Sequence, residues 1–382
     1  MSDYDVLIVG GGPVGAATAL ALRGAGLFVG LLEARGAQAA RLDPRPIALS
    51  HGSRLILERL GLWEALQPAT PIERIHVSQR GGFGRVELDA REAQLPALGY
   101  VVDYGQLATA LDRALEADGG CRRVRARVMA LDAGPDVAVA RFDGGNGFEQ
   151  ATTRLLAVAD GGALTTTPAR TRDYHQTVVT TRVGCGIPHR NIAYERFTPE
   201  GPLALLPMGE KLALVWTTTP EQAQQLCELP EAAFLERLQA AFGRRLGAFS
   251  GAGERTRYPL TLKVAHRIAE SRIVALGNAA QTLHPVAGQG LNLGLRDAWE
   301  LAATVRDCER REIGEAAQLG RYRSRRRLDR SGGIGFTDAL VRLFSNDIAP
   351  LKLARGLGLA ALGAAAPAKD FVLRRMTFGT RG

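Results

Sequence analysis

The segment Val6-Leu7-Ile8-Val9, followed at once by Gly10-Gly11-Gly12-Pro13-Val14-Gly15, leaves this chain few ways to fold. Tyr4 to Val9 is aliphatic without polar alternation, the pattern of a strand buried on both faces of a parallel sheet. Gly10, Gly12 and Gly15 make G-x-G-x-x-G, and Ala16-Ala17-Thr18-Ala19-Leu20-Ala21-Leu22 continues as a helix of small residues. The glycines allow a tight turn, close approach of main chain to a pyrophosphate, and close helix–strand packing, with the anion on the positive helix end. A second strand, Phe28 to Leu32, ends in Glu33, whose carboxylate can accept from both ribose hydroxyls and would repel a 2′-phosphate. The unit reads as a site for an adenosine dinucleotide. Alone it serves NAD and FAD equally.

A second glycine-rich segment lies far downstream, from Gly277-Asn278 to Gly294. Arg272 to Leu276 is a buried-type strand, and Gly290 through Leu301 reads as a helix whose first amides face the crevice. Such orphan donors can stabilise negative charge at the N1–C2=O edge of a reduced flavin. Gly288 and Gly290 leave room for a ring system against main chain. Two glycine-rich bends touching opposite ends of one extended ligand favour flavin over nicotinamide. Between them, Arg45 can cover a phosphate or flavin edge, or be a surface arginine. Gln106, at the start of an amphipathic helix with Leu107 and Leu111 on one face, can point its amide at the ribityl chain, or simply cap. A third strand, Arg154 to Ala159, ends in Asp160-Gly161-Gly162, which suits either a crevice or a plain turn.

The 382 residues, 46% hydrophobic, suffice for roughly two domains. No apolar run reaches about 18 residues and no charged leader precedes the first strand, the pattern of a soluble cytoplasmic chain. Cys121, Cys185, Cys227 and Cys308 show no C-x-x-C spacing, so reduced thiols and no metal are expected. The net charge of +9 is mostly arginine, and charge alone does not choose a partner. The densest run, Arg321 to Arg330, reads as a solvated helix face, with lipid headgroups or a partner protein as alternatives, and no nucleic-acid module accompanies it, so nucleic acid is not expected as a partner. Alternation in Thr177–Val183 and Leu212–Thr217 indicates an antiparallel sheet, with a helix from Glu231 to Phe242. The arginine- and leucine-bearing stretch from Gly335 onward suits core cover and a bilayer surface equally.

Gly277 to Asp297, with the fingerprint, Glu33, Arg45, Tyr104-Gly105-Gln106 and Asp160-Gly161, resembles the single-component FAD-dependent aromatic hydroxylases, the para-hydroxybenzoate hydroxylase-like family. Glu195-Arg196-Phe197-Thr198, Gly201 to Met208, Ala241 to Gly247 and Tyr258-Pro259-Leu260 are similar to its ubiquinone-biosynthesis branch. The resemblance implies an α/β fold: a Rossmann-like FAD-binding domain (1–70, 101–170 and 259–334), an inserted, mostly antiparallel β-sheet substrate domain (71–100 and 171–258) and a C-terminal helical segment (335–382). It implies that Gly10, Gly12 and Gly15, with Pro13 and Val14, hold the pyrophosphate, that Glu33, with Ala34 and Arg35, holds the adenosine ribose, and that main chain at Val128 lies near adenine. Arg45, Gln106, Asp160, Gly277 and Asn278 fall beside the ribityl-pyrophosphate and flavin, Asn278 standing where the wider family usually has Asp. Pro285, Gly288, Gly290, Leu291 and Asn292 are implied to line the isoalloxazine. His284 is the first candidate to assist the phenol proton, with a loop-fixing role equally open; His51 is a weaker candidate, and the Pro285 backbone is implied close to the oxidised carbon. Leu164 and Thr167 occupy positions where the family carries Ser and Arg, which weakens the expected NAD(P)H contact.

The implied chemistry is monooxygenation with FAD as cofactor, NAD(P)H as cosubstrate and O₂ as oxygen source, through a flavin C4a-hydroperoxide. The implied substrate is a prenylated phenol, 2-polyprenyl-6-methoxyphenol, converted to the 1,4-benzoquinol. Other ubiquinone-biosynthesis proteins and the inner face of the membrane are the implied partners. A hydroxylase of another aromatic compound, or a non-catalytic flavin-fold subunit of a quinone-biosynthesis assembly, stays open at this point. The tryptophans do not form the W-x-W-x-I-P of flavin-dependent halogenases, and no second fingerprint offers a separate NAD domain.

Overall fold

In the computed structural model, residues 2–34, 43, 45–145, 147–164, 168–344 and 348–379 are described. Arg35 and Thr167 lie outside them. Tyr4–Val9 is buried throughout and runs parallel to Phe148–Val158 on one side and to Val29–Glu33 on the other. Cys121–Arg125 and Ile273–Ala275 extend this sheet, and an antiparallel ribbon, Arg127–Ala133 with Ala138–Asp143, folds back on the third strand. That strand is longer than its hydrophobic end indicates, because residues 148–153 also pair with the ribbon.

Helices Pro13–Ala21 and Gln289–Arg306 lie side by side on this sheet. Their contact depends on glycine: a Cβ on Gly294 would stand 2.6 Å from Val14 Cγ2, and one on Gly277 3.0 Å from the same methyl. The turn after the first strand and the bend after Ile273–Ala275 are thereby brought together.

The second sheet runs in the order Gln281–Thr282, Thr256–Ala265, Ala169–Cys185, Lys211–Thr218, Pro202–Met208, Ile192–Phe197, Arg74–Gln79, Arg85–Asp89. All pairings are antiparallel except Ile192–Phe197 with Arg74–Gln79. Helices Pro220–Glu228 and Glu231–Phe242 cover one face, burying Leu214, Trp216, Phe234 and Phe242. The opposite face looks toward the nucleotide-type domain. Thr256–Ala265 belongs to this sheet, although residue 259 was expected to open the third piece of the FAD-binding domain. Its long register against Ala169–Cys185 decides its membership.

Helix Ala316–Phe344 passes through Gly335 without a break, so residue 335 marks no structural boundary. Ala349–Ala364 and Ala366–Phe378 follow, and the bend between them is 94°. They bury Leu359 and Leu373 against Val86, Leu88, Phe197 and Phe344, so they do cover core. Among the described residues no single helix is long and apolar enough to cross a membrane.

The arginine run is not simply a solvated face. Arg326 is 2% exposed, with Nε 2.6 Å from Asp297 Oδ1 and Nη1 2.7 Å from Asp329 Oδ2. Arg296 Nε reaches the same Asp329 oxygen at 2.8 Å, and Tyr322 is fully buried one turn away. A helical stripe through 322, 326 and 329 faces inward, which a count of charges cannot reveal. Asp297 also accepts from Gly277 N (3.1 Å) and Gln281 Nε2 (2.8 Å), tying this cluster to the downstream bend.

Arg326→Ala is expected to cost about 3–5 kcal/mol in chemical denaturation, because two buried carboxylates each lose a cationic partner. Burial alone would raise the Asp329 carboxyl, but Arg296 and Arg326 hold it below the ordinary range. A carboxyl lowered by folding stabilises above its unfolded value of roughly 4 and loses that contribution below it. The wild-type-to-variant gap in stability therefore narrows as the pH falls below about 4.

Candidate active site

A cavity of about 1650 Å³ opens between the two sheets and the C-terminal helices. One end is built by Gly10, Gly12, Pro13, Val14, Glu33, Ala34 and Val128, and its middle by Arg45, Asp160, Gly277, Asn278, Pro285, Gly288, Gly290, Leu291 and Asn292. These expected residues are thus brought to one continuous surface. Gly15 does not line it. A Cβ there would strike the Gly10 carbonyl, so this glycine serves the packing of turn on helix.

At the nucleotide-type end, a Cβ on Gly11 would strike the Glu33 carboxylate, so Glu33 lies against the turn only because Gly11 carries no side chain. Burial raises the Glu33 carboxyl against the pull of Arg123, 3.7 Å away. Arg123 is also paired with Asp112 at 2.5 Å, and both line the cavity. The sequence reading missed this pair; the alternation along Cys121–Arg125, which turns Arg123 toward the neighbouring strand's Glu33, is the signal that could have found it.

Helix Pro13–Ala21 begins at Gly12 and helix Gln289–Arg306 at Gly288 (φ +60°), and neither has a side-chain cap. Both N-termini border the cavity, where their positive ends favour negative charge. A Cβ on Gly12 or Gly290 would meet open space. Asn292 stitches the wall together: its amide donates to Ala48 O (3.0 Å) and Gly288 O (2.7 Å), and its oxygen accepts from Ser50 N (2.8 Å). Arg45 is held by Asp43 through Nε (2.8 Å) and lies over the rings of Tyr104 (5.2 Å) and Tyr258 (5.3 Å). Asp160 accepts from the amides of Gly162 (2.9 Å) and Leu164, so its oxygens cap the turn that follows its strand.

Gln106 and His284 are likewise not brought to the cavity. Gln106 donates to Gln67 O at 3.2 Å and lines a separate small pocket with Ala65 and Thr109, because the helix Tyr104–Asp118 turns that face away. His284 sits behind the loop whose neighbours Leu283 and Pro285 form the wall. Its Nδ1 accepts from Val286 N–H at 3.1 Å, its ring meets Tyr174 edge-on, and burial pushes its pKa down to about 3. A neutral, enclosed imidazole suits loop fixing and not proton exchange with a ligand. His51 is likewise buried against Phe378 and is absent from the wall.

A family model described as "FAD binding domain" matches residues 3–330. The chain belongs to this family of FAD-dependent monooxygenases. Among its relatives is the ubiquinone hydroxylase UbiL of Rhodospirillum rubrum, 37% identical over 97% of this chain and 88% of the relative. The 3-demethoxyubiquinol 3-hydroxylase of Escherichia coli is 33% identical over 94% of each chain. The crystal structure of p-nitrophenol 4-monooxygenase PnpA from Pseudomonas putida matches with a TM-score of 0.79 at 20% identity, covering 99% of both chains, and so shares the fold.

The residues of this monooxygenase fit FAD. Two uncapped helix ends would offer amides to a pyrophosphate and to the electron-rich flavin edge, the Glu33 carboxyl would meet the ribose, and glycines leave the space between free. Gly12→Ala is expected to leave the thermal midpoint of the apoprotein unchanged while weakening FAD about tenfold or more, read by fluorescence titration. Gly15→Ala is expected to lower the apoprotein midpoint itself.

Proposed function

We propose that this protein is the FAD-dependent hydroxylase of a polyprenylated phenol in ubiquinone biosynthesis, with NAD(P)H as reductant and O₂ as oxygen source. The observation that carries the substrate class is the far end of the cavity. Beyond Pro285 its wall turns apolar, with Val86, Leu88, Leu340, Leu359, Leu373 and Met376 drawn from the second sheet and the C-terminal helices. The volume exceeds the roughly 300–1000 Å³ of an ordinary ligand pocket. An isoprenoid tail is the chemistry that such an added limb suits. The names of the relatives point the same way, and 2-polyprenyl-6-methoxyphenol is the first substrate to assay.

In this reading Gly10, Gly12, Pro13 and Val14 hold the pyrophosphate, Glu33 and Ala34 the ribose, and Val128 the adenine, while Pro285 to Asn292 form the flavin's edge. Bound FAD supplies hydride acceptance and delivery of one oxygen atom to the ring. The protein's own tasks are to orient the phenol between the Pro285 loop and the second sheet, to close the site against water, and to manage the phenolic proton. Asn278 offers an uncharged amide to the cofactor. NAD(P)H reaches the flavin transiently, without a fold of its own.

The tail also supports attachment to a bilayer surface. Leu353 and Leu357 are each 57% exposed and Phe371 68%, all on the last two helices, within a chain of net charge +9. An amphipathic helical pair with a basic background suits the interface of an anionic membrane.

Leu373→Glu is expected to raise KM for a long-chain prenylphenol by tenfold or more, with little change for a chainless methoxyphenol; equal effects on both would refute the tail limb. Product identification by mass spectrometry with the long-chain phenol tests the reaction itself. The double variant Leu353→Asp, Leu357→Asp is expected to lose most co-sedimentation with vesicles containing phosphatidylglycerol while keeping turnover of a soluble short-chain phenol.

A further inference from the structure

The second sheet presents one flat wall to the cavity. Across four adjacent strands the register aligns Val77, Glu195, Ala204 and Val215 in a row, and all four line the cavity. The rows on either side contribute Ile75, Ala193 and Leu206, and Phe197. Glu195 is therefore the one ionisable group of an otherwise apolar row. Its Oε1 is sealed from water and has no hydrogen-bond partner among the described residues. Two residues along, Phe197 stacks on Phe344 (centroids 4.0 Å apart) and clusters with Val286, the residue after Pro285. The Glu195 wall thus stands across the cavity from the loop assigned to the flavin's edge.

A carboxyl with one oxygen sealed from water and unpartnered costs stability. Nothing in the packing around Glu195 repays it, so its use must come from what enters the cavity. We propose that Glu195 is a catalytic residue that binds the substrate's phenolic hydroxyl and takes its proton, an inference that rests on the phenol-hydroxylase reading above. In that step the phenolic O–H bond breaks, its electron pair stays on the phenol oxygen, and the proton bonds to a Glu195 carboxylate oxygen. One negative charge moves from carboxylate to ring and nothing is oxidised or reduced. The phenolate oxygen then feeds electron density to the ortho and para carbons that accept oxygen.

Burial pushes the Glu195 carboxyl up to about 7, bringing it nearer to a phenol. Apart from Arg127, beside Val128, the other charges on the cavity wall are engaged elsewhere. Arg355 donates to the carbonyls of Leu343 and Phe344, Arg45 is paired with Asp43, and Glu33, Asp112 and Arg123 share the nucleotide end. Arg196, the next residue, donates to Ala241 O on the other face.

The test uses FAD-loaded enzyme and a 2-methoxyphenol carrying a ten-carbon prenyl chain at position 6, with its methyl ether as a probe that has no proton to give. For wild type, kcat/KM is expected to rise with pH through a midpoint near 7. Glu195→Gln should lower kcat/KM by about a hundredfold or more and abolish that midpoint, with Glu195→Asp between the two. In binding titrations without NAD(P)H, Glu195→Leu should weaken the phenol about tenfold and leave the ether unchanged. Folding raises this acid's pKa, so its carboxylate form destabilises as pH climbs; Glu195→Gln should raise the thermal midpoint at pH 8 and change it little at pH 5. Turnover within threefold of wild type with the midpoint retained, or equal weakening of phenol and ether, would overturn the assignment. Wild type that neither binds nor hydroxylates the phenol would overturn the phenol-hydroxylase reading and this inference with it.

Discussion

The contact on which the rest of the molecule depends is that of one valine with two glycines. Val14, in the first turn of the N-terminal helix, fills the space that side chains at Gly277 and Gly294 would occupy. Helix Gln289–Arg306 can then lie directly against helix Pro13–Ala21, and two bends about two thirds of the chain apart share one cavity. A methyl group at Gly294 would push these helices apart, and both uncapped N-termini would lose their common target. The buried Asp297–Arg326–Asp329–Arg296 cluster secures the arrangement from behind by holding Gly277 N and Gln281.

The cavity joins two environments. Its nucleotide-type end is polar, with Glu33, Asp112, Arg123 and two helix termini; its far end, Glu195 and Arg355 apart, is made of aliphatic and aromatic side chains. A ligand that spans both must itself change character along its length, or two ligands must meet in the middle. The Pro285 loop marks the junction.

Much of this was legible from residue pattern. Tyr4–Val9, the glycine turn and Glu33 are local signals, each set by neighbours within a few positions, and they stand where the pattern puts them. Helix Glu231–Phe242 was legible to its end residues for the same reason. What could not be read were features that arise between distant segments. His284 next to Pro285 looked like a group at the ligand's edge, yet one residue of displacement on an irregular loop turned its ring into the protein. Gln106 met the same fate on a helix. Arg326 read as surface because charge is the usual mark of a solvated face, and its carboxylate partners sit 29 residues upstream and three downstream. Glu195 was visible only as part of a motif; its exposure to the cavity follows from a register across four strands that no local pattern records.

That register carries a demand on the order of events during synthesis. Ile192–Phe197 pairs in parallel with Arg74–Gln79, roughly a hundred residues earlier. The hairpin of Arg74–Gln79 and Arg85–Asp89 leaves the ribosome with one edge open and Val86 and Leu88 without the C-terminal helices that cover them. It must wait for a distant strand and then for the end of the chain. Non-local pairing of this kind closes slowly and leaves an adhesive edge in the meantime. Nascent chains of this protein therefore have a built-in need for shielding until the last two helices described have been made.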